Sequence, residues 1–135
     1  MRYLLDTHAW VWAVLGDRRL GRKARRAVAA IGESDRIALA AISLKEAAWQ
    51  LAHGRIILAE AAASWADWLR DASTVPGLEI LPLTVEIAIE SERFSSAFPD
   101  DPADRLIAAT ARVHGLTLLT RDRGLQTSRE LETLW

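Results

Sequence analysis

Cysteine is absent from the 135 residues. That excludes a disulfide scaffold, a zinc–thiolate centre and a catalytic thiol. Metal binding, if the chain has any, must use oxygen ligands or three histidines. Long apolar runs are also missing. No stretch reaches the roughly 18–20 residues of a membrane span. The N-terminal run Tyr3-Leu4-Leu5 meets Asp6 too soon for the apolar core of a signal peptide. A soluble, cytoplasmic protein with no membrane partner is the expectation. There is no Gly-x-x-x-x-Gly-Lys phosphate loop and no Gly-x-Ser-x-Gly elbow, which removes a P-loop hydrolase and disfavours an esterase. Lysine is nearly absent, and no lysine follows a late strand as a phospho-acceptor receiver domain would require. Net charge is small as well: 17 basic against 18 acidic residues give −1, so no bulk basic field marks a nucleic-acid binder.

What is present suits one globular domain over residues 1–135, since hydrophobic residues are 50% and charged ones 26%. Fifteen of the 17 basic residues are arginine, and only Lys23 and Lys45 are lysine. Arg18, Arg19, Arg22, Lys23, Arg25 and Arg26 crowd together and read as a solvated helix face. Short apolar runs alternate with longer segments of helical spacing. Strands are expected at Tyr3–Leu5, Ile37–Ile42, Leu78–Leu81 and Leu116–Leu119, with a short fifth at Leu131–Trp135. Helices are expected over Ala9–Leu15, Leu20–Ile31, Ser43–His53, Leu58–Asp71, Val85 to about Phe94, and from Asp101-Pro102 to His114. This order predicts an α/β fold with a central, mainly parallel sheet of four or five strands flanked by helices. In such sheets ligands bind beyond the carboxyl ends of the strands.

Four acids sit at those places. Asp6 follows the first strand. Glu46 lies in the first turn of the helix after the second. Asp104 lies in the first turn of the helix after the Phe98–Asp101 loop, and Asp122 follows the fourth strand. Each has an ordinary structural use. Ser43 to Glu46 fits a capping box, Asp6 an N-cap, Asp104 a helix-dipole partner behind an Asp101 cap, and Asp122-Arg123-Gly124 a turn. As a set they would repel one another at one sheet edge unless a cation sat among them. A carboxylate set without cysteine or paired histidine suits Mg²⁺ or Mn²⁺, and phosphodiester hydrolysis is the chemistry such an ion serves.

The residues around these acids resemble the PIN-domain family. Leu4-Leu5-Asp6-Thr7-His8 looks like its opening motif, and Ile42-Ser43-Leu44-Lys45-Glu46-Ala47-Ala48-Trp49 like its second. Asp101-Pro102-Ala103-Asp104-Arg105-Leu106-Ile107-Ala108-Ala109-Thr110-Ala111 looks like the third, and Leu118-Leu119-Thr120-Arg121-Asp122 like the fourth. Four motifs in order span nearly the whole chain, and the nearest subgroup is the VapC-type toxin. The resemblance implies a Mg²⁺- or Mn²⁺-dependent ribonuclease that cleaves an RNA substrate. It implies Asp6 and Asp104 as direct metal ligands, with Glu46 and Asp122 completing the site or holding bound waters. Thr7 and Thr120 match hydroxyl positions beside the acids. Homodimers and a cognate antitoxin lying near the active site are implied partners.

Six tryptophans are many for this length. Trp49 and Trp65 read as core packing. Trp10 and Trp12 are candidates for the antitoxin groove, because tryptophan is enriched at interface hot spots; base stacking is a third use. Arg121 and Arg123 flank the last acid and are candidates for phosphate contacts. His8, His53 and His114 have no metal-ligand spacing and receive no catalytic role. The rival reading is a catalytically silent PIN-like module that binds RNA or protein. Four intact acids argue against it.

Overall fold

The computed structural model describes residues 1–59 and 64–135. Five strands form one sheet: β1 (Tyr3–Leu5), β2 (Ile37–Ala40), β3 (Leu78–Leu81), β4 (Thr117–Leu119) and β5 (Thr133–Leu134). Their order is β3-β2-β1-β4-β5, and every pairing is parallel. The described helices are α1 (Thr7–Leu15), α2 (Arg22–Ala29), α3 (Ile42–Ala52), α4 (Trp65–Ser73), α5 (Val85–Ser91), α6 (Pro102–His114) and the single turn α7 (Arg123–Gln126). The expected α/β architecture with a five-stranded parallel sheet is therefore what forms.

Alternation along the strands builds two cores. Successive side chains of a strand face opposite ways. Leu4, Ala38 and Leu118 point to one face and pack under α5 and α6 with Ile87, Phe98, Ile107 and Ala108. Leu5, Leu39 and Leu119 point to the other, under α1, α2 and α4 with Trp10, Ala24 and Ala72. Because both faces are covered, the central strands are apolar throughout. The Arg18–Arg26 run lies on exposed positions, with Ala24 and Ala27 turned inward.

The chain moves from β1 outward to β2 and β3, then returns to place β4 on the other side of β1. Strand order reverses between β1 and β4, which opens a crevice at their carboxyl ends. Leu5 pairs with Leu119, and the Asp6 amide donates to the Leu119 carbonyl at 3.1 Å. Asp6 and Thr120 are thus brought side by side where the crevice starts.

Several boundaries differ from the expected ones. The helix expected over Leu58–Asp71 begins at Trp65, where the Ser64 hydroxyl caps the Asp67 amide at 3.2 Å. Leu58 lies outside it, and the expected contributions of Ala61 and Ala62 fall outside the described residues. The expected Leu20–Ile31 helix is shortened to α2, and the expected Asp122–Gly124 turn is the start of α7. The second strand ends at Ala40, and α3 begins at Ile42 without a side-chain cap.

Trp10 is 1% exposed and its indole N–H donates to the Ala72 carbonyl of α4 at 3.2 Å. It is a core residue, so the expectation that it lines a partner groove is corrected. Trp10→Ala is expected to cost about 3–5 kcal/mol of unfolding free energy, the range for emptying a large aromatic site. Denaturant unfolding of the two proteins measures this directly.

Candidate functional site

The crevice at the switch point is a cavity of about 530 Å³ whose walls carry Asp6, Glu46, Asp101, Asp104 and Asp122, with Thr7, His8, Trp12 and Arg121. All four acids singled out from the sequence meet here. Asp6 leaves the end of β1 and caps α1, accepting the Ala9 amide on Oδ1 at 2.7 Å. Burial pushes its carboxyl above the ordinary aspartate range, against the opposing pull of the Thr120 hydroxyl and the Ala9 amide. Asp122 caps α7, accepting the Leu125 amide at 2.9 Å. Its own amide donates to the Thr120 hydroxyl at 3.1 Å. Thr120 is fully buried and so links the first acid to the last.

Glu46 is placed by a contact that the sequence did not suggest. Ser43 does not cap α3. It lies inside the helix, fully buried, and its hydroxyl is 3.0 Å from that of Thr7. Thr7 Oγ1 donates to Glu46 Oε1 at 2.6 Å. The expected capping box is therefore absent, because α3 starts one residue earlier and its N-cap position is Ala41. Thr7 has one proton to give and an ionised carboxylate can only accept. The pair Thr7–Glu46 takes that proton, and the Ser43 hydroxyl supplies the other bond. Ser43 is a supporting residue that spacing alone could not reveal, since the link joins residues 36 apart in the chain.

Asp104 is set by the entry to α6. Asp101 caps that helix, accepting the Asp104 amide at 2.9 Å, with Pro102 at its first position. Arg105 fixes the preceding loop: its guanidinium donates to the Pro99 carbonyl at 2.8 Å and to the Phe98 carbonyl at 3.3 Å. The Asp104 carboxyl is pushed up to about 7, first by burial and then by the charges of Asp101, Asp122, Glu46 and Asp6. Asp101 is thus both a cap and a member of the acidic wall.

Around the mouth, Trp12 is 7% exposed and packs between charged groups. The Arg19 guanidinium lies 4.9 Å from its ring centroid and that of Arg121 5.7 Å. Of the two arginines flanking Asp122, Arg121 lines the crevice and Arg123 begins α7. His8 also lines the wall. His53 and His114 fall at helix ends, as expected. Trp49 and Trp65, expected in the core, are instead 45% and 40% exposed.

The donor set fits a hard divalent cation. Every candidate ligand is a carboxylate or hydroxyl oxygen, and burial together with the neighbouring carboxylates raises Asp104. Among the described residues, no three histidine, aspartate or glutamate side chains close into a ready-made cage. The acids line walls instead. That matches Mg²⁺, which keeps several waters and touches one or two carboxylates rather than filling an all-protein shell.

The PIN domain family model matches residues 3–130. The chain is 39% identical over 134 residues to Ribonuclease VapC22 of Mycobacterium tuberculosis, covering 98% of this chain and 97% of that one. The fold is similar to a crystal structure of VapBC2 from Rickettsia felis bound to a DNA fragment from their promoter. The TM-score is 0.72 at 17% identity, over 99% and 98% of the two chains. It is also similar to the crystal structure of FitAcB from Neisseria gonorrhoeae, with TM-score 0.70 at 24% identity, over 98% and 96%.

The acidic wall gives the metal-free protein a defined pH dependence. Asp104 and Asp6 both hold protons more tightly folded than unfolded. Folding then takes up protons between the unfolded value near 3.8 and the folded value of about 7 for Asp104, so stability falls as pH rises through that window. In EDTA the melting temperature is expected to drop from pH 4 to pH 7. Asp104→Asn should flatten the drop, and millimolar Mg²⁺ or Mn²⁺ at pH 7 should reverse it. Thermal melts across pH, with and without metal, check all three.

Proposed function

The chain belongs to the PIN-domain family, and within it to the VapC ribonucleases, and on that premise we propose that it hydrolyses RNA phosphodiester bonds at the crevice between β1 and β4. The observation that carries this is Asp104: a half-buried carboxyl, raised to about 7, that faces four other acids in one cavity. Such crowding is unfavourable unless a cation neutralises it. Asp6 and Asp104 are the residues that would ligate Mg²⁺ or Mn²⁺ directly, with Glu46 and Asp122 completing the site or holding its waters. When bound, the ion supplies a Lewis acid that activates water and offsets charge developing on the phosphate.

The chain's own groups do the positioning. Thr7 locks one oxygen of Glu46, Thr120 and the Ala9 amide steady Asp6, and the Leu125 amide steadies Asp122. A carboxylate has about four acceptor sites, so a capping bond leaves it able to face the crevice. Arg121 on the wall offers a forked guanidinium to a phosphate. Residues 1–135 act as one PIN-like domain. The wider reading is a toxin that works in the cytoplasm as a homodimer and is held inactive by an antitoxin. It rests on membership of the VapC ribonucleases and on structural neighbours named as VapBC2 and a toxin–antitoxin complex. Among the described residues no helix is long and apolar enough to cross a membrane.

Purified chain incubated with total cellular RNA is expected to cleave with Mg²⁺ or Mn²⁺ and to stop in EDTA. Asp104→Asn should lose more than about a hundredfold in rate while keeping its fold, by analogy with loss of a metal-site group. Cleavage that survives in the variant or in EDTA would remove the site assignment. Thr7→Val keeps the four acids but releases Glu46. Its expected cost is about 10–100-fold, with partial recovery in Thr7→Ser, which restores the hydroxyl.

A further inference from the structure

A second hollow opens directly beside the acidic crevice and shares Glu46 and Asp101 with it. Its volume is about 450 Å³, and its walls are Lys45, Trp49 and Gln50 of α3 with Pro102 and Leu106 of α6. Beyond the two shared acids, this hollow is mainly apolar, with one lysine and one amide. Two observations point to an occupant. Trp49 is 45% exposed, a large aromatic surface on α3, with the Arg55 guanidinium 5.8 Å from its ring centroid. Gln50 lines the hollow, and its Oε1 is buried from water without a hydrogen-bond partner among the described residues. A buried amide oxygen left without a partner is unfavourable and calls for an explanation.

Trp49 is also held still. His53, one turn on, stacks on it with ring centroids 4.3 Å apart and 19° between planes. The His53 ring is anchored in turn by an Nδ1–H bond to the Trp49 carbonyl at 2.8 Å. His53 is not part of the hollow's lining, so it backs the indole from outside. A rigid aromatic plane, a side-chain amide and a nearby ammonium are the groups that take an unstacked nucleobase: the plane stacks it, the amide reads its edge, and the cation meets the phosphate beside it.

We propose that this hollow is a nucleobase subsite, in which Trp49 stacks and Gln50 hydrogen-bonds the base of a nucleotide next to the scissile phosphate. The inference rests on the ribonuclease reading of the adjoining crevice and deepens it. Base selectivity in RNA cleavage then comes from α3 as well as from the strand ends. Gln50 turns its amide about the last side-chain torsion to present oxygen and N–H together to one edge of the base. Trp49 and Gln50 are positioning residues, because they would hold the base rather than the reacting phosphate.

The test separates binding from cleavage. Single-stranded adenylate, cytidylate and uridylate hexanucleotides are titrated into the Asp104→Asn protein while tryptophan fluorescence is followed. Quenching is expected, and Trp49→Ala in the same background should weaken binding roughly tenfold, with Trp49→Phe restoring most of it. Gln50→Ala should narrow the difference in affinity between the three oligonucleotides. In the active protein, Trp49→Ala should raise KM for RNA and leave kcat within about twofold. Circular dichroism shows that these variants fold, as an exposed tryptophan leads one to expect. Unchanged affinity and KM in Trp49→Ala would overturn the subsite while metal-dependent cleavage by the parent chain still stood. Absence of cleavage by the parent, with Trp49-dependent quenching intact, would overturn the ribonuclease reading and keep the base site.

Discussion

The parallel pairing of β1 with β4 is the constraint from which the rest of the site follows. One backbone bond, from the Asp6 amide to the Leu119 carbonyl, sets the register at the last rung. Beyond that rung Asp6 turns into α1, while the Thr120 amide still donates to the Leu134 carbonyl of β5 at 3.2 Å before the chain leaves the sheet. Asp6 becomes the cap of α1, and Thr120 leads into Asp122, the cap of α7. The same break in strand order that opens the crevice also fixes which side chains enter it. Helices α3 and α6 then close the walls with Glu46 and Asp104. A change that slipped β4 by one residue would exchange Leu118 and Leu119 between the two cores and remove Thr120 from Asp6 at once.

Structural and chemical uses of the acids are not competing explanations. Asp6, Asp101 and Asp122 each accept an amide at a helix start. The cap anchors the carboxylate at its base, and the positive end of the helix helps to hold its charge. Glu46 is anchored differently, by the buried Thr7 hydroxyl of α1, which is itself bonded to the Ser43 hydroxyl one turn before Glu46 on α3. Asp104 is pushed up to about 7 by burial and by the charges of its acidic neighbours, and burial raises Asp6 as well. The fold therefore sets two carboxyls that hold protons more tightly than usual among acids anchored by amides and a hydroxyl.

Much of this was legible in the sequence because it depends on local rules. Strand runs such as Leu116–Leu119, the Asp101-Pro102 helix entry and the acids beyond them obey period, capping and position within the chain. What was not legible depended on distance or on which side of a helix faces in. Ser43 and Glu46 have the spacing of a capping box. A start at Ile42 turns Ser43 inward to Thr7, and nothing local records that choice. Trp10 and Trp12 are two residues apart, which on a helix puts them about 200° apart. Both are buried, but Trp10 turns toward α4 while Trp12 lies where the core meets the crevice, with the Arg19 and Arg121 guanidiniums over its ring. Trp49 looks like core by composition alone, yet it is exposed because Ala47 and Leu51 already fill the inward face of α3.

A net charge of −1 and a crevice of acids would together repel an RNA backbone. The resolution is spatial. Arg19 and Arg121 sit at the mouth with their guanidiniums over Trp12, and Lys45 stands on the far wall that Glu46 shares. Cations placed at the entrance and beyond the site act on phosphates that flank the reacting one, within about a Debye length at physiological salt. Of the two arginines, Arg121 offers its fork to a phosphate, whereas both sides of the Arg19 fork are taken by the Asp17 carboxylate at 3.1 and 2.8 Å. The balance of charge that makes the whole chain look indifferent to nucleic acid is thus the sum of an acidic floor and a basic rim. Their separation, rather than their total, is what the strand order provides.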